Sequence, residues 1–152
     1  MNIPYLKFKI KKSTEEEIFS HLKKCKNDFN PPLDSKVNIR EYSIKLFDNA
    51  ITFEAWIGNI LIGLVAAYFN DMENHSGYIT NVSLTKEYIG RGIASKLLSM
   101  CINYGKQHNF KKIHLEVLKG NSKAILLYQR HGFIEFDEKD NFMLMKLELA
   151  NY

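Results

Sequence analysis

The run Tyr88-Ile89-Gly90-Arg91-Gly92-Ile93-Ala94-Ser95 decides how this 152-residue chain is read. Upstream, residues 78–84 form an apolar strand. Downstream, a helix is expected over 92–108, with Ile93, Leu97 and Cys101 at intervals of four and Ala94, Leu98 and Ile102 beside them. That wide apolar face belongs to a helix packed on a sheet. A strand that passes through a glycine-rich turn into a helix N-terminus exposes backbone N–H groups at the positive end of the helix dipole. Gly90 and Gly92 permit the unusual dihedrals and the close backbone approach that an anion needs. The turn therefore reads as a phosphate site.

A second segment, Asn121-Ser122-Lys123-Ala124-Ile125-Leu126-Leu127-Tyr128-Gln129-Arg130-His131-Gly132-Phe133, follows a strand over 112–118. Asn121 is a helix cap, and Gly132-Phe133 is a left-handed stop followed by an apolar anchor. Tyr128 lies two turns into that helix.

Working outward, residues 5–10 alternate apolar and basic and form a strand. Ser13-Thr14-Glu15-Glu16 opens a helix with a capping box, with Ile18, Leu22 and Cys25 behind it at helical spacing. Phe29-Asn30-Pro31-Pro32-Leu33 breaks that helix, and a second helix is expected over 34–47. Residues 51–57 and 60–69, joined at Gly58-Asn59, make a hairpin. A polar loop fills 70–76, and two strands over 133–136 and 141–148 close the chain. The order is β-α-α-β-β-β-α-β-α-β-β. It predicts one α/β (α+β) domain over 1–152, with a mixed central sheet flanked by helices.

Composition agrees with a globular core: 45% of residues are hydrophobic and 25% charged. The longest apolar run, Ile60 to Phe69, is half of what a membrane span needs, so no membrane partner is expected. The first twelve residues lack the apolar stretch of a signal peptide, and the cytoplasm is the expected compartment. Cys25 and Cys101 form no CxxC and are expected as buried free thiols. His21, His75, His108, His114 and His131 lack paired metal-ligand spacing, so no metal is expected. The net charge of +4 raises nucleic acid as a partner. The lysines are dispersed over 7–12, 23–26 and 111–112, however, and no nucleic-acid partner is expected.

Residues 78–133 together resemble the GCN5-related N-acetyltransferases, which move acetyl from acetyl-coenzyme A (acetyl-CoA) to amines. The resemblance implies that a bulge splays the two central strands, with the pantetheine arm running beside the first of them. Val82, Ser83 and Leu84 then offer backbone groups to pantetheine. The amides of Gly90, Arg91, Gly92, Ile93, Ala94 and Ser95 bind the pyrophosphate, and Asn121 contacts the cofactor. One departure stands out: the R/Q-x-x-G-x-G/A pattern has Ile89 at its first position, where Arg91 supplies a compensating cation.

Amine acetylation needs a proton removed from an alkyl ammonium of pKa near 10 and a proton delivered to the departing thiolate. By the resemblance Tyr128 is the general acid. Glu116, in a Leu-Glu-Val strand similar to that of ribosomal-protein N-terminal acetyltransferases, is the candidate base. Burial in an apolar strand would raise its pKa into a useful range. His114, two residues away, shares its face and is a second base or an orienting partner. Water without a dedicated base is the other route. Trp56, Tyr68 and the Phe29–Leu33 loop are candidates for the acceptor wall. Cys101, on an apolar helix face, is not expected to act as a nucleophile.

The expected activity is acetyl-CoA-dependent N-acetylation of a small-molecule primary amine such as an amino sugar. A peptide N-terminus or lysine is the alternative acceptor, and a non-catalytic acyl-CoA-binding module is the alternative of another class. A homodimer is compatible with the sequence.

Overall fold

A computed structural model describes residues 3–29 and 31–149. Asn30, within the expected loop-forming run, lies outside them, as do the two residues before and the three after. The elements are β1 (Leu6–Ile10), α1 (Glu15–Cys25), α2 (Ile39–Asn49), β2 (Ile51–Ile57), β3 (Ile60–Asp71), β4 (Ser76–Leu84), α3 (Ile93–Gln107), β5 (Lys112–Leu118), α4 (Ser122–Arg130), β6 (Ile134–Lys139) and β7 (Phe142–Glu148). Their order is the one read from sequence.

Local chemistry explains the boundaries. Thr14 caps α1, and Glu17 closes the box by returning its side chain to the Thr14 N–H at 2.8 Å. The second helix starts later than expected. Leu33–Ser35 form only a single tight turn after the prolines, and α2 begins where Asn38 caps it by accepting from Glu41 N–H. Gly132, at φ +96°, terminates α4: Phe133 N–H reaches Tyr128 O and Gly132 N–H reaches Gln129 O, both at 3.0 Å. This is a Schellman stop with Phe133 as its buried anchor.

The seven strands form one mixed sheet in the order β1-β2-β3-β4-β5-β7-β6. All neighbours are antiparallel except β4 and β5, which run parallel. Strand β3 is buried from Leu61 to Ala67, because α3 covers one of its faces and α1 and α2 the other. On the α3 face Phe53, Val65, Leu97, Ile113, Leu115 and Met145 form the larger core. On the opposite face Leu64 and Ala66 meet Ile18, Leu22, Leu33 and Leu46. None of the described helices is long and apolar enough to cross a membrane.

Candidate active site

Strands β4 and β5 pair only from Ser76–Ile79 against Lys112–Leu115. On its other side β4 carries an extra residue, since Ala66 faces Asn81 while Ala67 faces Ile79. Thr80 is that bulged residue. Bulges bend a strand and raise its twist, and here the two parallel strands diverge beyond it. The gap is a cleft of about 980 Å³. Ile79–Leu84 form one wall, Leu115–Asn121 with Ala124, Leu127 and Tyr128 the other, and Phe29, Leu33, Val37 and Tyr42 the front.

The expected pantetheine strand lies in that wall. Thr85 N–H donates to Ile62 O at 2.8 Å, toward β3. Alternation along the strand therefore turns the peptide groups of Leu84 and Val82 the other way, into the cleft. Ser83 departs from expectation: by the same alternation its peptide groups turn toward β3, and its hydroxyl donates to Asn81 Oδ1 at 2.8 Å and contacts His21 Nε2 at 2.9 Å.

The glycine turn follows a tight turn at Lys86–Tyr88. Gly90 and Gly92 have φ of +84° and +79°, with open space where a Cβ would stand. Gly92 caps α3 without any side-chain cap bond, so the first amides of the helix carry no capping oxygen. Ile89, half-exposed, lines the cleft, while Gly90, Arg91, Gly92, Ile93, Ala94 and Ser95 lie just past its wall. The Arg91 guanidinium sits 5.7 Å from the Tyr88 ring centroid. Ile93 is buried, and Ser95 Oγ contacts His131 Nε2 at 2.9 Å.

Tyr128 is buried, lines the cleft and stacks edge-on against Phe133. Burial pushes its phenol up to about 12, so the hydroxyl stays protonated near neutrality. Asn121 caps α4 through Oδ1 to Ala124 N–H at 3.2 Å and also lines the cleft.

Glu116 departs from expectation. It lines the cleft but is exposed rather than buried, because the strand that would have covered it has diverged. The argument from burial therefore fails for this carboxylate. Its neighbour is Tyr78, which is pushed up to about 12 by burial first and then by the Glu116 charge. His114 does share the Glu116 face, but it opens onto a separate recess and its Nδ1 contacts Ser76 Oγ at 3.0 Å. Desolvation lowers its pKa.

Of the proposed acceptor wall, Phe29 and Leu33 line the cleft. Trp56 does not: it is buried, with Nε1 donating to Glu54 at 3.1 Å. Tyr68 packs against the α1–α2 core instead. Tyr42, unread in the sequence, reaches the cleft, and its hydroxyl contacts Thr80 Oγ1 at 2.8 Å. Cys25 and Cys101 are buried free thiols with raised pKa values, and Cys25 borders the cleft. Among the described residues no group of three His, Cys, Asp or Glu side chains is placed to hold a metal ion.

The model of the Acetyltransferase (GNAT) family matches residues 16–133. The chain belongs to that family. Among curated proteins it is similar to the spermine/spermidine N(1)-acetyltransferase of Bacillus subtilis (strain 168), at 31% identity over 51% of each chain. It is also similar to N-alpha-acetyltransferase 30 of Schizosaccharomyces pombe, at 32% identity over 50% of this chain and 51% of that one. The chain thus spans about half the length of the curated relatives it matches. Among solved structures, the PaiA N-acetyltransferase of Thermoplasma acidophilum in complex with coenzyme A has a TM-score of 0.76 at 18% identity, covering 93% of this chain and 99% of that one. The NatC complex bound to Gag peptide and CoA contains a chain with a TM-score of 0.77 at 25% identity, covering 95% of this chain and 99% of that one. The GNAT fold read from the glycine turn is the fold observed.

Proposed function

We propose that this GNAT protein transfers acetyl from acetyl-CoA directly to a primary amine of a small molecule. The observation that carries the reading is the fork at Thr80, which exposes unpaired β4 backbone along a cleft that also holds Tyr128 and Glu116. The donor fits this wall. Val82 and Leu84 present peptide groups to its pantetheine arm, and Gly90–Ser95 present uncapped helix amides, with Arg91, to its pyrophosphate. Asn121 stands at the cleft beside them.

Acetyl-CoA supplies the thioester and a leaving thiol. The Val82 N–H donates to the thioester oxygen as negative charge grows there. Glu116, directly or through one water, takes the proton from the amine as its nitrogen bonds to the carbonyl carbon. Tyr128 donates its proton to sulfur as the C–S bond breaks, and solvent restores the phenol. The products are the amide and the free thiol.

The small-molecule acceptor is supported by the spermine/spermidine enzyme among the relatives. A second reading, a peptide α-amine, is favoured by the N-alpha-acetyltransferase relatives and the NatC chain. Coenzyme A thiol release, followed over amino sugars, amino acids, polyamines and short peptides, tests both. Absence of thiol release with every amine tried, despite tight acetyl-CoA binding, would support a non-catalytic binding module instead.

A further inference from the structure

A second recess, of about 440 Å³, opens on the same sheet face as the acceptor side of the cleft. It is lined by Asp71, Asn74, Ser76, Lys112, His114 and Lys146, with Phe136 at its edge. The two cavities share a wall. Tyr78 lines the cleft, and its ring centroid lies 5.1 Å from that of His114, which lines the recess. Glu116, His114 and Lys112 alternate along β5 and project to one face, and Lys146 on β7 stands directly across from His114. At about 3.3 Å per residue, His114 lies roughly 7 Å and Lys112 roughly 13 Å along the strand from Glu116.

The charges are ordered along that line. The cleft end carries the Glu116 carboxylate and the recess carries two ammonium groups. Asp71 is the opposing charge within it, and both of its oxygens are engaged by Asn74, from N–H at 3.0 Å and from Nδ2 at 3.1 Å. Glu148 pairs with Lys146 at 3.3 Å but is largely exposed, so the pair is worth little. Among the described residues Lys112 forms no ion pair. Ser76 fixes the imidazole through Nδ1.

We infer that this recess binds an anionic group, a carboxylate or phosphate, at the far end of the acceptor whose amine is presented to Glu116. The inference rests on the acetyltransferase reading and narrows it. The acceptor is a small molecule with its amine and its anion roughly 7–13 Å apart, and a polyamine would meet Lys112 and Lys146 with like charge.

Three matched probes test this: 8-aminooctanoate, its methyl ester, and octane-1,8-diamine. At low ionic strength the acid is expected to exceed the ester in kcat/KM by about three- to tenfold, the range of one or two exposed ion pairs, and the diamine is expected to fall below both. The ratio of acid to ester should move toward one in a Lys112→Ala, Lys146→Ala double variant, and also near 1 M salt. Calorimetric binding of the three probes to the protein saturated with coenzyme A reads the same preference without turnover. Equal acid and ester, in binding or in rate, overturns the recess as an anion site, as does a preference that survives the double substitution. An acid preference in binding without thiol release overturns the transferase reading and leaves the recess standing.

Discussion

Ile79 and Leu115 are the last residues at which β4 and β5 pair, and both are buried in the α3-side core. Beyond them the same two strands become opposite walls of the cleft. The core thus fixes the point of divergence, while Thr80 supplies the extra length that sends β4 away. Val82 and Leu84 on one wall face Glu116 and Tyr128 on the other because the ladder stops there.

Gly92→Val addresses donor binding. The residue has φ +79°, which a β-branched side chain adopts only with strain of about 1–2 kcal/mol. No atom lies within 4 Å of a Cβ there, so the core is untouched. A folded variant with at least tenfold weaker acetyl-CoA binding by calorimetry is expected. Unchanged affinity would remove the turn from the donor site.

Tyr128→Phe keeps the ring against Phe133 and removes only the hydroxyl. If that hydroxyl delivers the proton to sulfur, kcat falls by about 10²–10⁴-fold with donor affinity little changed. Because burial holds the phenol near 12, it stays protonated through the assay range, and it contributes no alkaline loss of activity below about pH 10. Wild-type turnover in the variant would make Tyr128 structural.

Much of this was legible in the sequence because the signals are local. The α1 capping box, the Asn121 cap and the Gly132-Phe133 stop each act within a few residues; the last two are formed as read, and the box forms one residue later than the Ser13–Glu16 run, between Thr14 and Glu17. What was missed depends on strands meeting at a distance. Glu116 sits in an apolar strand that ordinarily buries its side chains, yet the missing neighbour leaves it open. His114 shares its face but looks into another recess for the opposite reason: β4 still pairs beside it, and Tyr78 stands between it and the cleft. Glu54 gave no signal in Thr52-Phe53-Glu54-Ala55-Trp56, because its donors, Ser13 and the Lys12 N–H, arrive from about forty residues away.

That carboxylate is fully buried. It accepts from Ser13 Oγ and Thr52 Oγ1 at 2.6 Å, from Ser13 N–H at 3.1 Å and from Trp56 Nε1 at 3.1 Å. It ties the chain entering α1 to β2, away from the cleft. Glu54→Ala strands these donors in the interior and should cost at least about 3 kcal/mol in urea unfolding. A loss under about 1 kcal/mol would show that water replaces the carboxylate.

His21 predicts acid sensitivity. Burial lowers its pKa from 6.5 to about 4. An unfolded chain therefore binds a proton there that the folded one refuses, so stability is complete above about pH 6.5 and is lost as pH falls toward 4. The full loss is on the order of 3 kcal/mol. His21→Gln should flatten the unfolding free energy across this window, and an equally steep slope in that variant would place the sensitivity elsewhere.

Glu116→Gln tests proton removal. Glu116 is exposed within the cleft, so its substitution should leave the unfolding midpoint almost unchanged, which a buried structural partner would not allow. If the carboxylate is the base, its loss matters most where the amine arrives protonated. The ratio of variant to wild-type kcat/KM should then be lowest near pH 6 and rise toward one as pH approaches the amine pKa, about 10 for an alkyl ammonium. Tyr78, held near 12, does not titrate in that range and cannot supply the slope. If water alone carries the proton, the ratio is flat from about pH 6 to 9.5, across the range between the carboxylate and amine values. A flat ratio at unchanged stability would therefore remove Glu116 from the chemistry and leave it as a charge that attracts the ammonium, seen as a raised KM with kcat preserved.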